Sequence, residues 1–216
     1  MTENVGDGFM QLTKKLTNLV SLQLTFRKIA HQALIEIGQN CPYIEIIKLI
    51  GYKITSSESL KSHPTYFKKL KVLEIRVVRS DGQFEDFIDN LDDNLPDEDE
   101  DDPNNPGDNS ITPQLMKFFL TNCLNIQDVT IFAMLNFLDE EFLMKIFKEN
   151  PMNELQRLCI CPLNKNNLLT VGVASNVIMS LPNLHTIATS RWKMKSREVI
   201  HLIKQLKNQN FDINFV

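Results

Sequence analysis

Apolar residues recur along this chain in one short phrase, an apolar position followed by others three and five places later. It reads Leu19-x-x-Leu22-x-Leu24, Ile44-x-x-Ile47-x-Leu49, Leu70-x-x-Leu73-x-Ile75, Ile126-x-x-Val129-x-Ile131, Leu155-x-x-Leu158-x-Ile160 and, with a polar last place, Leu184-x-x-Ile187-x-Thr189. Two apolar residues separated by one position share a face of a strand, so each phrase predicts a short β-strand. Helical spacing follows most of them: Ile29, Ala33, Leu34 and Ile37; Leu115, Phe118 and Phe119; Phe142, Leu143, Ile146 and Phe147; Val199, Ile200, Ile203 and Leu206. Strands alternating with helices predict parallel strands joined by helical crossovers. Repetition at a nearly fixed period predicts a stacked solenoid, whose usual work is to offer a long surface to another macromolecule.

Between the middle apolar positions of successive phrases the steps are 25, 26, 56, 29 and 29 residues. The long step is one repeat plus an insertion. Its chain, about residues 86–109, holds Asp97-Glu98-Asp99-Glu100-Asp101-Asp102 and is too charged to bury itself, so a disordered acidic loop is expected there. Helix starts carry cap signals: Thr112 before Pro113, Asp139 before Glu140 and Glu141, and Ser196 two residues before Glu198. Pro64 interrupts the segment from Ser56 to Phe67, which reads as a short helix and an irregular turn. Asn164 to Asn167 reads as a loop, followed by a helical face of Val173, Val177 and Ile178.

With 216 residues and 43% apolar content, the chain suits a single repeat domain over 1–216, with about six to seven repeats. A signal peptide or membrane-length apolar run is missing from the sequence, so a cytoplasmic or nuclear protein is expected. Charge is divided along the chain. Of the 27 acidic residues, 13 lie between Asp81 and Asp108 with no Lys or Arg among them, which leaves 14 acids against 23 bases elsewhere, a surplus of nine.

Cys41 and Cys123 occupy comparable places just before two strand phrases, where packing between repeats explains them better than a disulfide. Cys159 and Cys161 share one face of a predicted strand, and plain surface or edge packing is expected of them. No second Cys or His pair gives them zinc-like spacing, so no metal or other cofactor is expected.

The repeats resemble those of leucine-rich-repeat proteins over about residues 12–214. Cys41-Pro42-Tyr43-Ile44-Glu45-Ile46-Ile47-Lys48-Leu49, with Gly51-Tyr52-Lys53-Ile54-Thr55 after it, resembles the cysteine-containing repeat of F-box/leucine-rich-repeat proteins; Asn122-Cys123-Leu124 and Leu181-Pro182-Asn183-Leu184 extend that likeness. The resemblance implies an α/β horseshoe with parallel strands on its concave face and helices on its convex face. An F-box would precede the repeats, and only a few residues do so here. What is implied is therefore the substrate-recognition half of a ubiquitin-ligase adaptor, with ligase components as candidate partners.

Strand alternation places the residues between the core positions on the concave face, where a protein partner would bind. The candidate partner-binding residues are Lys48, Glu74, Arg76, Asp128, Phe132 and Arg157, with Phe132 and the two arginines as anchors. A secondary basic patch, Arg191, Trp192, Lys193 and Lys195, would contact phosphate or an acidic peptide with Trp192 as a stacking element; a solvated turn whose Trp caps the core is the simpler account. Nucleic acid is disfavoured, because its binders present a broader basic stripe. His31, His63, His185 and His201 are scattered and read as surface imidazoles, and no Gly-rich phosphate loop is present, so no enzyme activity is expected. The alternative function is an acidic nuclear leucine-rich-repeat protein that holds basic partners such as histones.

Overall fold

The computed structural model describes residues 12–55, 66–77, 111–164, 167–209 and 211–216. The expected acidic insertion and most of the segment from Ser56 to Phe67 lie outside the described residues. Among the described residues seven strands, β1 (Ser21–Ala30), β2 (Ile46–Thr55), β3 (Val72–Val77), β4 (Asp128–Ala133), β5 (Arg157–Pro162), β6 (Thr186–Ala188) and β7 (Asn214–Phe215), form one sheet in chain order. Every neighbouring pair is parallel. Five helices are present among the described residues: α1 (His31–Asn40), α2 (Pro113–Asn122), α3 (Glu140–Glu149), α4 (Val171–Ser180) and α5 (Ser196–Asn208). The α/β class with parallel strands and helical connections is as the periodicity predicts.

Leu22, Ile47, Leu73, Val129, Leu158 and Ile187, the middle residues of the six phrases, are register partners across the sheet. Shifting one strand by a single residue would turn its whole apolar set to the other face, so burial of this row, complete from Ile47 to Ile187 and partial at Leu22, specifies the register. Unequal steps between phrases are absorbed in the connections and leave the pairing intact.

Alternation divides the sheet into two faces. On β3, Leu73, Ile75 and Val77 are buried while Val72, Glu74 and Arg76 are half-buried. The buried set joins Leu34 and Ile37 of α1, Phe118 and Phe119 of α2, Ile146 and Phe147 of α3, Val177 and Ile178 of α4, and Leu202 and Leu206 of α5 in one core. Each such side chain contributes on the order of 1.5–3 kcal/mol when removed from water. The helices thus cover one face and leave the other to Glu74, Arg76 and their neighbours.

Local chemistry sets the helix ends. The Thr112 hydroxyl accepts from the Leu115 N–H at 3.3 Å, and the Asp139 carboxylate from Phe142 N–H at 2.8 Å, as their cap signals predict. Ser196 is a correction: it is the first helical residue, Lys195 stands at the cap, and the Glu198 carboxylate accepts from the Lys195 N–H at 2.8 Å. Cys41 and Cys123 are buried at the C-terminal caps of α1 and α2, in agreement with a packing role.

Asn150 takes the same place at the end of α3, and its amide joins two connections. It donates to the carbonyls of Leu120, at 2.7 Å, and Cys123, at 3.4 Å, and accepts from Met152 N–H at 3.2 Å. All these groups are buried, so removing the amide strands them. Asn150→Ala is expected to cost about 2 kcal/mol in chemical denaturation; a loss within 0.5 kcal/mol, of about the size of a surface change, would show that the three bonds are dispensable.

Candidate functional site

The six candidate side chains meet on the helix-free face. Register builds three rows across β2 to β5: Ile46, Val72, Asp128 and Arg157; then Lys48, Glu74, Thr130 and Cys159; then Ile50, Arg76, Phe132 and Cys161. Candidate residues up to 109 positions apart, Lys48 and Arg157, thereby share one continuous surface.

Glu74 is the hub. One carboxylate oxygen accepts from Arg76 Nε at 2.6 Å, and the other lies 3.2 Å from Lys48 Nζ. Partial burial alone would raise the Glu74 pKa, but the hydrogen bonds from Arg76 and Lys48 and their charges outweigh it and hold the carboxyl below its usual range. The Arg76 guanidinium lies over the Phe132 ring, 4.8 Å from its centroid. On the neighbouring row Arg157 Nη1 donates to Asp128 at 3.3 Å, and Asp128 also receives the Thr130 hydroxyl at 3.4 Å. Both arginines therefore arrive at the surface already oriented by carboxylates of the same face.

Cys159 and Cys161 depart from expectation. They sit on an interior strand of the sheet, and both are buried, so the surface or edge packing read from the sequence is wrong. They stand outside the main core and share their rows with large side chains, Glu74 with Cys159 and Arg76 and Phe132 with Cys161. Burial pushes the Cys159 thiol up despite nearby Arg157 and Arg76, and pushes Cys161 up to about 11 despite Arg191. Thiols held protonated in this way are poor nucleophiles at neutral pH. With Thr130 and Ala188, also buried, they form a floor of small side chains between the charged groups.

The secondary patch is not a stacking site. Trp192 is buried, and its indole N–H donates to the Ile160 carbonyl at 2.7 Å, so its ring caps the core. Arg191 has positive φ, 67°, and its carbonyl accepts from the Asn167 amide at 2.8 Å; Lys193 and Lys195 are exposed. The ordered turn explains the motif.

Histidines also divide. His185 and His201 are exposed, but His31 is buried with both ring nitrogens unpartnered, which corrects its reading as a surface imidazole. Phe118 of α2 meets its ring edge-on at 5.7 Å between ring centroids. Among the described residues no three metal-ligating side chains come together. A groove of about 470 Å³ lies between α4 and α5, lined by Val171, Leu202, Arg197 and His201 among others, on the helical layer and away from the charged face. Among the described residues no helix is long and apolar enough to cross a membrane. No family model matches the chain, and no curated protein matches it.

Proposed function

We propose that this chain is a non-enzymatic protein-interaction module of leucine-rich-repeat type, a solenoid that binds a protein partner on the sheet face opposite its helices. The observation that carries the reading is the register: seven parallel strands in chain order align the repeated phrase and leave Lys48, Glu74, Arg76, Asp128, Phe132 and Arg157 contiguous on the uncovered face. A large sheet face carrying an aromatic ring, two arginines and half-buried Ile46, Ile50 and Val72 has the mixed character of a protein interface. By its resemblance to F-box/leucine-rich-repeat proteins the partner is a substrate presented to a ubiquitin ligase, with ligase components in the same assembly. The histone-binding alternative is disfavoured, because cations are the more exposed charges on this face.

The test removes apolar contacts and leaves every charge in place. Affinity purification from cell lysate followed by mass spectrometry is expected to recover a defined set of proteins with the natural chain and to lose them, by at least about tenfold, with the Phe132→Ala/Ile50→Ala double variant. Equal recovery by a double variant whose circular dichroism and melting match those of the natural chain would exclude this face as the interface. Recovery of ligase subunits would support the adaptor reading, and recovery of histones would support the alternative.

A further inference from the structure

The charged groups on this face are layered by depth. The two carboxylates are the more covered, with side-chain exposures of 16% for Glu74 and 28% for Asp128, while the cations reach outward, at 41% for Lys48, 31% for Arg76 and 53% for Arg157. A partner therefore meets ammonium and guanidinium groups first.

Hydrogen-bond geometry sharpens this. Arg76 spends its Nε–H on Glu74 and stacks on Phe132, and its two terminal amino groups make no hydrogen bond to a described residue. Arg157 uses only Nη1, toward Asp128, in a long contact of 3.3 Å. Each guanidinium is thus held by a carboxylate beneath it while most of its N–H donors remain open, an arrangement that lowers the entropic cost of binding an anion. A fork of N–H donors matches a carboxylate in plane and spacing.

We propose that the partner segment recognised on this face is an extended, acidic peptide whose carboxylates pair with Arg76 and Arg157. This rests on the interaction reading above and assigns the partner its chemistry. The spacing follows from the sheet. Arg76 and Arg157 stand two strands apart and four residues apart in register, since Val72 aligns with Asp128 and Arg157. With strands about 4.8 Å apart and about 3.3 Å per residue, their Cα atoms are roughly 16 Å apart; in an extended peptide, side chains four positions apart share one face and stand about 13 Å apart, and the long arginine and glutamate side chains span the difference. The apolar residues between the two carboxylates would lie along Phe132 and the small side chains of Thr130 and Cys159.

The experiment uses the full chain and fluorescein-labelled ten-residue peptides read by fluorescence anisotropy at low salt. One peptide carries two Glu four positions apart, so that both side chains share one face of the extended chain, in an Ala/Ser background; a second has Gln at both places, and a third has phosphoserine there. The Glu peptide is expected to bind at least about tenfold more tightly than the Gln peptide and to weaken about tenfold with either Arg76→Ala or Arg157→Ala. Binding should also fall steeply with added salt. Equal binding of the Glu and Gln peptides, or arginine variants that bind the Glu peptide like the natural chain, would overturn the proposal. Binding of the phosphoserine peptide alone would overturn the carboxylate assignment in favour of phosphate. If the Phe132→Ala/Ile50→Ala variant loses its lysate partners while the Glu peptide fails, the interaction reading stands and the acidic-peptide proposal falls.

Discussion

Gly51→Ala is expected to destabilise the protein by about 3 kcal/mol or more, beyond the usual loss for a surface strand position. Gly51 lies on β2 directly opposite Phe26 of β1. A Cβ added there would overlap the Phe26 carbonyl oxygen and come within 2.5 and 2.6 Å of two Phe26 ring carbons. The ring could swing away, but the carbonyl belongs to the strand backbone and moves only if β1 and β2 separate. Phe26 is itself buried, so displacing its ring would also expose apolar surface. A double-mutant cycle separates the two contributions: Phe26→Ala in the Gly51→Ala background should recover only part of the loss, because the carbonyl overlap persists. Urea denaturation of the four proteins gives the energies. Full recovery would place the whole cost in the ring, and no loss in Gly51→Ala itself would mean that the two strands are not held this closely.

That close approach was not legible in the sequence, although Gly51 stood inside a recognised repeat. What periodicity reports is which side chains face together, and it did so well: the row from Leu22 to Ile187 was visible as a repeated phrase because every member meets the same helical layer. The six candidate side chains fell on one face for the same reason. Depth on that face was not visible. Cys159 and Thr130 alternate correctly, yet both are buried on the face that alternation leaves open, because a small side chain in a row beside larger neighbours sits low, and strand alternation carries no information about depth. His31 escaped for a different reason. The ring that meets it, Phe118, comes from 87 positions downstream, beyond the reach of any local pattern.

Pairing within the charged face also qualifies what arginine means as an anchor. From sequence, Arg76 and Arg157 stand out as isolated charges on strands. In the fold each has a carboxylate of its own face, so reversing Arg76 to Glu would add a second carboxylate beside Glu74 and repel it, and a loss of binding after charge reversal would mix electrostatics with local rearrangement. Truncation to Ala leaves Glu74 with Lys48, and Asp128 with the Thr130 hydroxyl, which keeps the readout on the missing guanidinium. The exposed Arg157–Asp128 pair contributes little to stability, typically about 0–1 kcal/mol, and the half-buried Glu74 keeps its Lys48 partner when Arg76 is removed, so the alanine variants should remain folded and report on binding.

The acid response of the fold is expected to run largely through His31. Burial lowers its pKa from 6.5 to about 4, with no neighbouring charge contributing to the shift. The unfolded chain therefore binds a proton near pH 6.5 that the folded chain refuses until about pH 4, and in this window the unfolded state holds more protons. Stability then falls as pH falls, by about 3 kcal/mol across the whole window and roughly 2.5 kcal/mol by pH 4.5. Glu74, whose pKa is lowered in the fold, adds its own loss at the acid end, as pH falls from the ordinary carboxylate range toward its folded value. The variant His31→Leu isolates the histidine. It removes two buried nitrogens that have no hydrogen-bond partner and keeps an apolar contact with Phe118. At pH 7.5 the variant should be at least as stable as the natural chain, because a buried unpaired polar group is itself costly. At pH 4.5 it should be more stable by about a further 2.5 kcal/mol, and that pH-dependent difference is the diagnostic quantity. Urea denaturation at the two pH values measures it. Parallel losses in both proteins between pH 7.5 and 4.5 would mean that His31 takes up its proton in the folded state without penalty, and that the acid sensitivity resides in the carboxylates instead.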